Sequence, residues 1–183
     1  MDQQKLIERI KETFGKLKVL ELGAILRKEQ FDLRDLIQIT HHQDEAIAFR
    51  AAWILENLYL YNPELYVDYL QDMLTAMHSI KWPGVSRHYA KIVMHATSPK
   101  ASKITKERLA ELDIEPIIEL LFDWLIDPEI KVAVKSFAAE ALFNLRQQHD
   151  WIKDELHNQL EFLMRDGSAA IQSRGKKLLK GLN

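Results

Sequence analysis

Seven histidines, twenty-seven carboxylates and no cysteine bound the chemistry open to this chain. Without a thiol there is no disulfide, thiolate nucleophile, zinc knuckle or iron–sulfur cluster to consider. His88 and His95 stand on one helical face but two turns apart, too far for joint ligation, and His41 and His42 diverge on a helix. No histidine pair has the i, i+4 spacing of a helical zinc site, so the set reads as surface or packed histidines, with no metal and no cofactor. Carboxylates crowd from Glu111 to Glu129, and Glu119, Asp123 and Asp127 recur every four residues along one stripe. Paired carboxylates do acid–base work only when their environments push their pKa values apart. The spacing alone describes a solvated helix face with Asp127 as a cap. No glycine-rich phosphate loop, Gly-x-Ser-x-Gly elbow or dinucleotide fingerprint occurs, and no catalytic residue is assigned.

Charge patterning carries more. The whole chain has a net charge of −2, yet Lys81, Arg87, Lys91, Lys100, Lys103, Lys106 and Arg108 fall within 28 residues that hold a single acid, Glu107. His88 and His95 add potential charge, and Trp82 and Tyr89 add stacking surface. A basic strip with interleaved aromatics is what phosphate-backbone contact needs. The following acidic segment is an alternative partner for the same cations. The candidate partner contacts are Lys81, Trp82, Arg87, His88, Lys91, Lys100 and Lys103. A second basic set, Arg174, Lys176, Lys177 and Lys180, reads as a polar cap on the C-terminal end.

The elements that must position these residues are helical. The chain has 183 residues, 47% hydrophobic, with only 6 Gly and 5 Pro, which disfavours many tight turns. Apolar periodicity predicts helices over 1–14 and 16–27, with Gly15 between them in a left-handed conformation, then over 31–40 and 44–61. Asn62-Pro63-Glu64 and Asp127-Pro128-Glu129 each read as cap, first-turn proline and first-turn acid. Trp82-Pro83 opens a helix to about residue 96; a loop and a short helix around 104–112 follow. Further helices start at Asp113, at His149 or Asp150, and at Gly167-Ser168. Trp53, Trp124 and Trp151 fall on apolar positions and are expected in the core, while Trp82 is the tryptophan expected to be exposed. The N-terminus lacks the features of a secretory signal and no apolar run approaches the ~18 residues that span a bilayer, so the expected location is cytoplasmic, with no membrane contact.

The helices repeat. Ala51-Ala52-Trp53-Ile54-Leu55-Glu56-Asn57-Leu58 is nearly copied by Ala138-Ala139-Glu140-Ala141-Leu142-Phe143-Asn144-Leu145. Taking Ile47, Val85, Val134 and Ile171 as equivalent, positions four, seven, eight and eleven residues on are almost all apolar or small. That describes one buried helix face per unit. The units are spaced by 38, 49 and 37 residues, and the Ser98–Leu112 insertion accounts for the longest gap. Period, paired helices and apolar slots resemble the HEAT-repeat family within the armadillo-like superhelices. The resemblance implies an all-α fold, a right-handed α-α superhelix of about four to five helical hairpins, as a single domain over 1–183. Hairpins of this kind bury their apolar faces only by stacking.

Phe122-Asp123-Trp124-Leu125-Ile126, His149-Asp150-Trp151-Ile152 and Gly167-Ser168-Ala169-Ala170 further resemble a group of small bacterial HEAT-like proteins, some of them labelled adenylosuccinate lyase. The lyase superfamily has a signature loop rich in Gly and Ser, with Met-Pro and Lys-x-Asn, and this sequence contains no such loop. The resemblance implies a non-catalytic protein-interaction adaptor, whose partner is another protein. Nucleic acid is the alternative partner: the strip also resembles the basic groove of HEAT-like DNA-alkylation-repair glycosylases, in which Trp82, Arg87 and Lys91 would be groove residues. A lyase-type enzyme stands third.

Overall fold

Helix ends are written into the side chains that flank them. In the computed structural model, which describes residues 1–29 and 31–182, Asp44 Oδ1 accepts from the amides of Ala46 and Ile47 at 2.8 and 3.3 Å. This satisfies donors that the first helical turn leaves open. Asp2, Asp32 and Ser102 cap in the same way. The helices are α1 (Gln3–Lys11), α2 (Gly15–Leu26), α3 (Leu33–Ile39), α4 (Glu45–Tyr61), α5 (Leu70–Ala76), α6 (Pro83–Ala96), α7 (Lys103–Ala110), α8 (Glu115–Ile126), α9 (Val132–Leu145), α10 (Asp150–Arg165) and α11 (Ala169–Leu182). No strand occurs among the described residues. Gly15 has φ +75°, the left-handed conformation expected of it, but it opens α2 rather than ending α1, which stops at Lys11.

Two expected helix starts differ. After Asn62-Pro63 the chain forms a 3-10 stretch, Pro63–Tyr69, without a side-chain cap from Asn62, and the α-helix begins only at Leu70. At Asp127-Pro128-Glu129 the Asp127 carboxylate does accept from the Glu129 amide at 2.8 Å. It closes a local turn, however, and α9 starts at Val132. In both places the proline-acid signature makes a turn that precedes the helix rather than its first turn.

Helices α2, α4, α6, α9 and α11 pack side by side in chain order. They run in one direction: Phe14 and Arg27, at the two ends of α2, meet Arg50 and Tyr61 near the corresponding ends of α4. Likewise the end of α9 meets the end of α6, through Asn144 and Met94, and the end of α11, through Phe143 and Gly181. A second layer covers one side of this row: α1, α3 and α5 follow one another, α8 packs on α9 and α10 on α11. The short α7 rests on the 3-10 stretch and on the end of α6.

The core lies between the layers and runs without a break from Leu6 to Leu182. The repeat slots build it. Ile47, Ala51, Ile54, Leu55 and Leu58 are buried, as are Val85, Tyr89, Ile92, Val93 and Ala96. So are Val134, Ala138, Ala141, Leu142 and Leu145, and then Ile171, Gly175, Leu178 and Leu182. Only Leu179 among these slots is half-buried. Small residues at Ala51, Ala138 and Gly175 let the layers approach closely. A Cβ on Gly175 would collide with the Met164 side chain of α10.

The tryptophans divide differently from the expectation. Trp124 is core, at 8% exposure, and Trp53 is half-buried. Trp151 is 41% exposed: it sits in the first turn of α10 and leans on Phe122 and His149, with ring centroids 5.5 and 6.4 Å away. Trp82 is half-buried instead of exposed, because its indole N–H reaches back to donate to the His42 carbonyl at 3.1 Å.

Candidate interaction surface

The two near-copied stretches exchange an aromatic and an acid. Where α9 has Glu140 and Phe143, α4 has Trp53 and Glu56. Glu56 therefore stands where its twin places a large apolar ring, and it is buried at 6% exposure. A carboxylate there needs partners. The His88 ring, through Nδ1, lies 2.6 Å from Oε2, and Lys91 Nζ donates to Oε1 at 2.6 Å. Burial pulls the Glu56 carboxyl upward, but the bonds to His88 and Lys91 outweigh it and hold the group below its ordinary value. The His88 ring is also buried. It meets Phe49 edge-on at 5.0 Å and lies nearly parallel to Trp53 at 6.2 Å. Its Nε2 has no hydrogen-bond partner among the described residues. This cluster ties α4 to α6 and sets the rings of Phe49 and Trp53 on the open side of the row. Beside it, burial and the Lys91 charge hold His95 below its ordinary value.

The seven candidate contacts spread along the row. Lys81 and Trp82 precede α6; Arg87, His88 and Lys91 lie on it; Lys100 and Lys103 follow it. His88 and Lys91 are held by Glu56, a residue the sequence reading did not single out. Its signal is visible only when the repeats are superposed: an acid in a slot that α6 and α9 fill with Met94 and Phe143. Lys103 lies 3.5 Å from Glu107, Lys106 donates to the Pro99 carbonyl, and Arg108 pairs with Glu111. Lys81, Arg87 and Lys100 are exposed and have no carboxylate within 4 Å among the described residues. The Glu119, Asp123 and Asp127 stripe is exposed on α8.

The open side of α2 and α4 is apolar. Leu17 and Leu20 are 69% and 42% exposed on α2, and Tyr61 is 67% exposed at the end of α4. Phe49, Trp53, Asn57 and Leu60 follow the helical period along the side of α4 away from its buried slots. A cleft of about 270 Å³ runs between the two helices, lined by Leu20, Gly23, Arg27, Asn57, Leu60 and Tyr61. The Arg27 guanidinium stacks over the Tyr61 ring at 3.9 Å and borders it.

Helical units stacked in register, each completing the core of the next, define an all-α helical-repeat superhelix. The chain belongs to the HEAT repeat family: the HEAT repeat domain matches it over residues 6–182. No curated protein matches the chain. No helix among the described residues is long and apolar enough to cross a membrane.

Proposed function

We propose that the protein is a non-catalytic HEAT-repeat adaptor that binds another protein on the open side of α2, α4 and α6. The observation that supports this is the set of exposed and half-buried apolar side chains Leu17, Leu20, Trp53, Leu60 and Tyr61 on α2 and α4, with the exposed Arg87 on the adjacent helix. An apolar patch bordered by charge marks protein contact far more often than does a scattered exposed leucine. Aromatic side chains and arginine supply most of the energy at such interfaces. Stacked hairpins curve, and the row α2–α4–α6–α9–α11 presents the extended surface that repeat proteins offer to partners. Lys81, Trp82, Arg87, His88, Lys91, Lys100 and Lys103 remain the proposed polar border. Of these, His88 and Lys91 act chiefly by fixing Trp53.

The test is affinity capture with wild type and the Leu20→Asp, Leu60→Asp double variant in parallel, each first shown folded by circular dichroism. A partner held by the wild type and lost from the variant supports the reading. Capture of the same proteins by both overturns it. Nucleic-acid binding is a second reading, favoured by the unpaired, exposed Lys81, Arg87 and Lys100. It requires salt-dependent binding to DNA that is lost when Lys81, Arg87 and Lys100 are reversed in charge.

A further inference from the structure

The two basic sets, some seventy residues apart in sequence, meet at one cleft. It has a volume of about 390 Å³ and lies near the carboxyl ends of α6 and α9, closed on its third side by α11. Lys100 from the loop after α6 and Lys177 from α11 border it; Met94, Phe143 and Leu178 form an apolar floor. Asn144 also lines it, with its amide NH₂ donated to the Met94 carbonyl and Thr97 Oγ1, which leaves its Oδ1 as an acceptor.

Lysines beside helix carboxyl ends commonly serve the open carbonyls there. Here five of those carbonyls are taken by other donors, and among the described residues Lys100 and Lys177 donate to none of them. Val93 accepts from Thr97, His95 from the Ser98 amide, Met94 from Asn144, Phe143 from the Arg146 guanidinium and Leu145 from the Gln148 amide. The one acid in the cleft, Glu140, is held by Arg174. Lys100 and Lys177 are both exposed and have no carboxylate within 4 Å among the described residues. Two cations without an anion, beside an apolar floor that includes an aromatic ring, make a site for a negative group attached to a flat body.

We propose that this cleft binds a nucleotide unit, its phosphate between Lys100 and Lys177 and its base on Met94 and Phe143. Lysine serves phosphate as a point charge, and a base gains stacking energy on any aromatic face. A cleft of this size matches one nucleotide. The unit comes either as a free mononucleotide or as one residue of a single strand, and the cleft shares Lys100 with the border proposed for the adaptor surface but none of the apolar residues on α2 and α4.

The test is calorimetric titration of the full chain in about 50 mM salt. The ligands are AMP, an oligo-dA eight-mer and inorganic phosphate, for wild type, Lys100→Glu, Lys177→Glu and, as control, Lys153→Glu on α10. AMP binding that weakens at least roughly tenfold in each of the first two variants and less than threefold in Lys153→Glu is the expected result. Tighter binding of the eight-mer than of AMP identifies a strand as the source; equal or weaker binding identifies the free nucleotide. The proposal is overturned if neither ligand binds the wild type, if inorganic phosphate binds as tightly as AMP, or if Lys100→Glu and Lys177→Glu do not weaken binding beyond the control. All three variants change exposed side chains, and circular dichroism verifies the fold of each.

Discussion

His88 and Glu56 join α6 to α4 by a 2.6 Å contact between Nδ1 and a carboxylate oxygen, in a position where the twin helix α9 carries Phe143. The pair is buried, and Lys91 completes it from the solvent side. Its placement makes the stability of the helix row depend on pH.

Glu56 is held below its ordinary value of 4.5 in the folded chain. A depressed carboxyl contributes stability that is present above the unfolded value and lost as pH falls through the folded value. Removing one partner of a buried pair costs about 3–5 kcal/mol, because the other charge is left without compensation. Glu56→Gln is therefore expected to lower stability at pH 7 by about 3 kcal/mol, the amide keeping part of the hydrogen bonding. Below pH 4.5 the gap from wild type should close as the wild-type carboxyl protonates. Urea titrations at pH 7, 5, 4 and 3 follow this; a gap that stays constant to pH 3 would show that folding does not lower the Glu56 carboxyl.

Trp124 and Trp151 should separate in the same assay. Trp124 is 8% exposed within the core, and Trp124→Ala is expected to cost about 3–5 kcal/mol. Trp151 is exposed and rests on Phe122, so Trp151→Ala should cost only about 1 kcal/mol, the scale of one aromatic pair. Equal losses would place Trp151 in the core.

The difference between these two tryptophans marks where sequence stops being sufficient. A repeated apolar period dictates burial directly, since a helix buries one face whatever its neighbours are. That is why Ile47, Val85, Val134 and Ile171 and their successors were legible. Trp151 satisfies the same period but sits in the first turn of α10, where little packs over it. Trp82 and Glu56 fail for another reason: their partners lie 40 residues earlier and 32 to 35 residues later, on other units. Local spacing does not encode which helix stands alongside. The basic strip was legible as charge. That Glu56 would take Lys91, and that Lys100 and Lys177 would line one cleft, follows only from the stacking of α4, α6, α9 and α11.

Gly15 tests backbone conformation without packing. Its φ is +75°, and a Cβ built there meets nothing within 4 Å. Gly15→Ala should thus cost only the left-handed penalty, about 1–2 kcal/mol, and Gly15→Asn less, because asparagine tolerates that region. Thermal melts of both variants check this, and the order Asn above Ala is the informative outcome.

Asn57 and Asn144 occupy the same slot of the repeat and do different things. Asn57 Nδ2 donates to the Trp53 carbonyl of its own helix at 2.7 Å. Asn144 Nδ2 crosses to α6, at 3.3 Å from both the Met94 carbonyl and Thr97 Oγ1. A bond within one helix leaves the neighbouring unit untouched, whereas the crossing bonds fasten two units at their carboxyl ends. Asn144→Ala is expected to destabilise by about 1–2 kcal/mol, leaving the Met94 carbonyl to Thr97 alone, and Asn57→Ala by less than about 1 kcal/mol. A cycle of Asn144→Ala with Thr97→Val should show coupling of at least about 0.5 kcal/mol, since both side chains meet at one carbonyl. The cycle of Asn57→Ala with Thr97→Val should be additive. Denaturant unfolding of the six proteins gives both values. Additivity in the first cycle would mean that Asn144 does not hold α9 to α6.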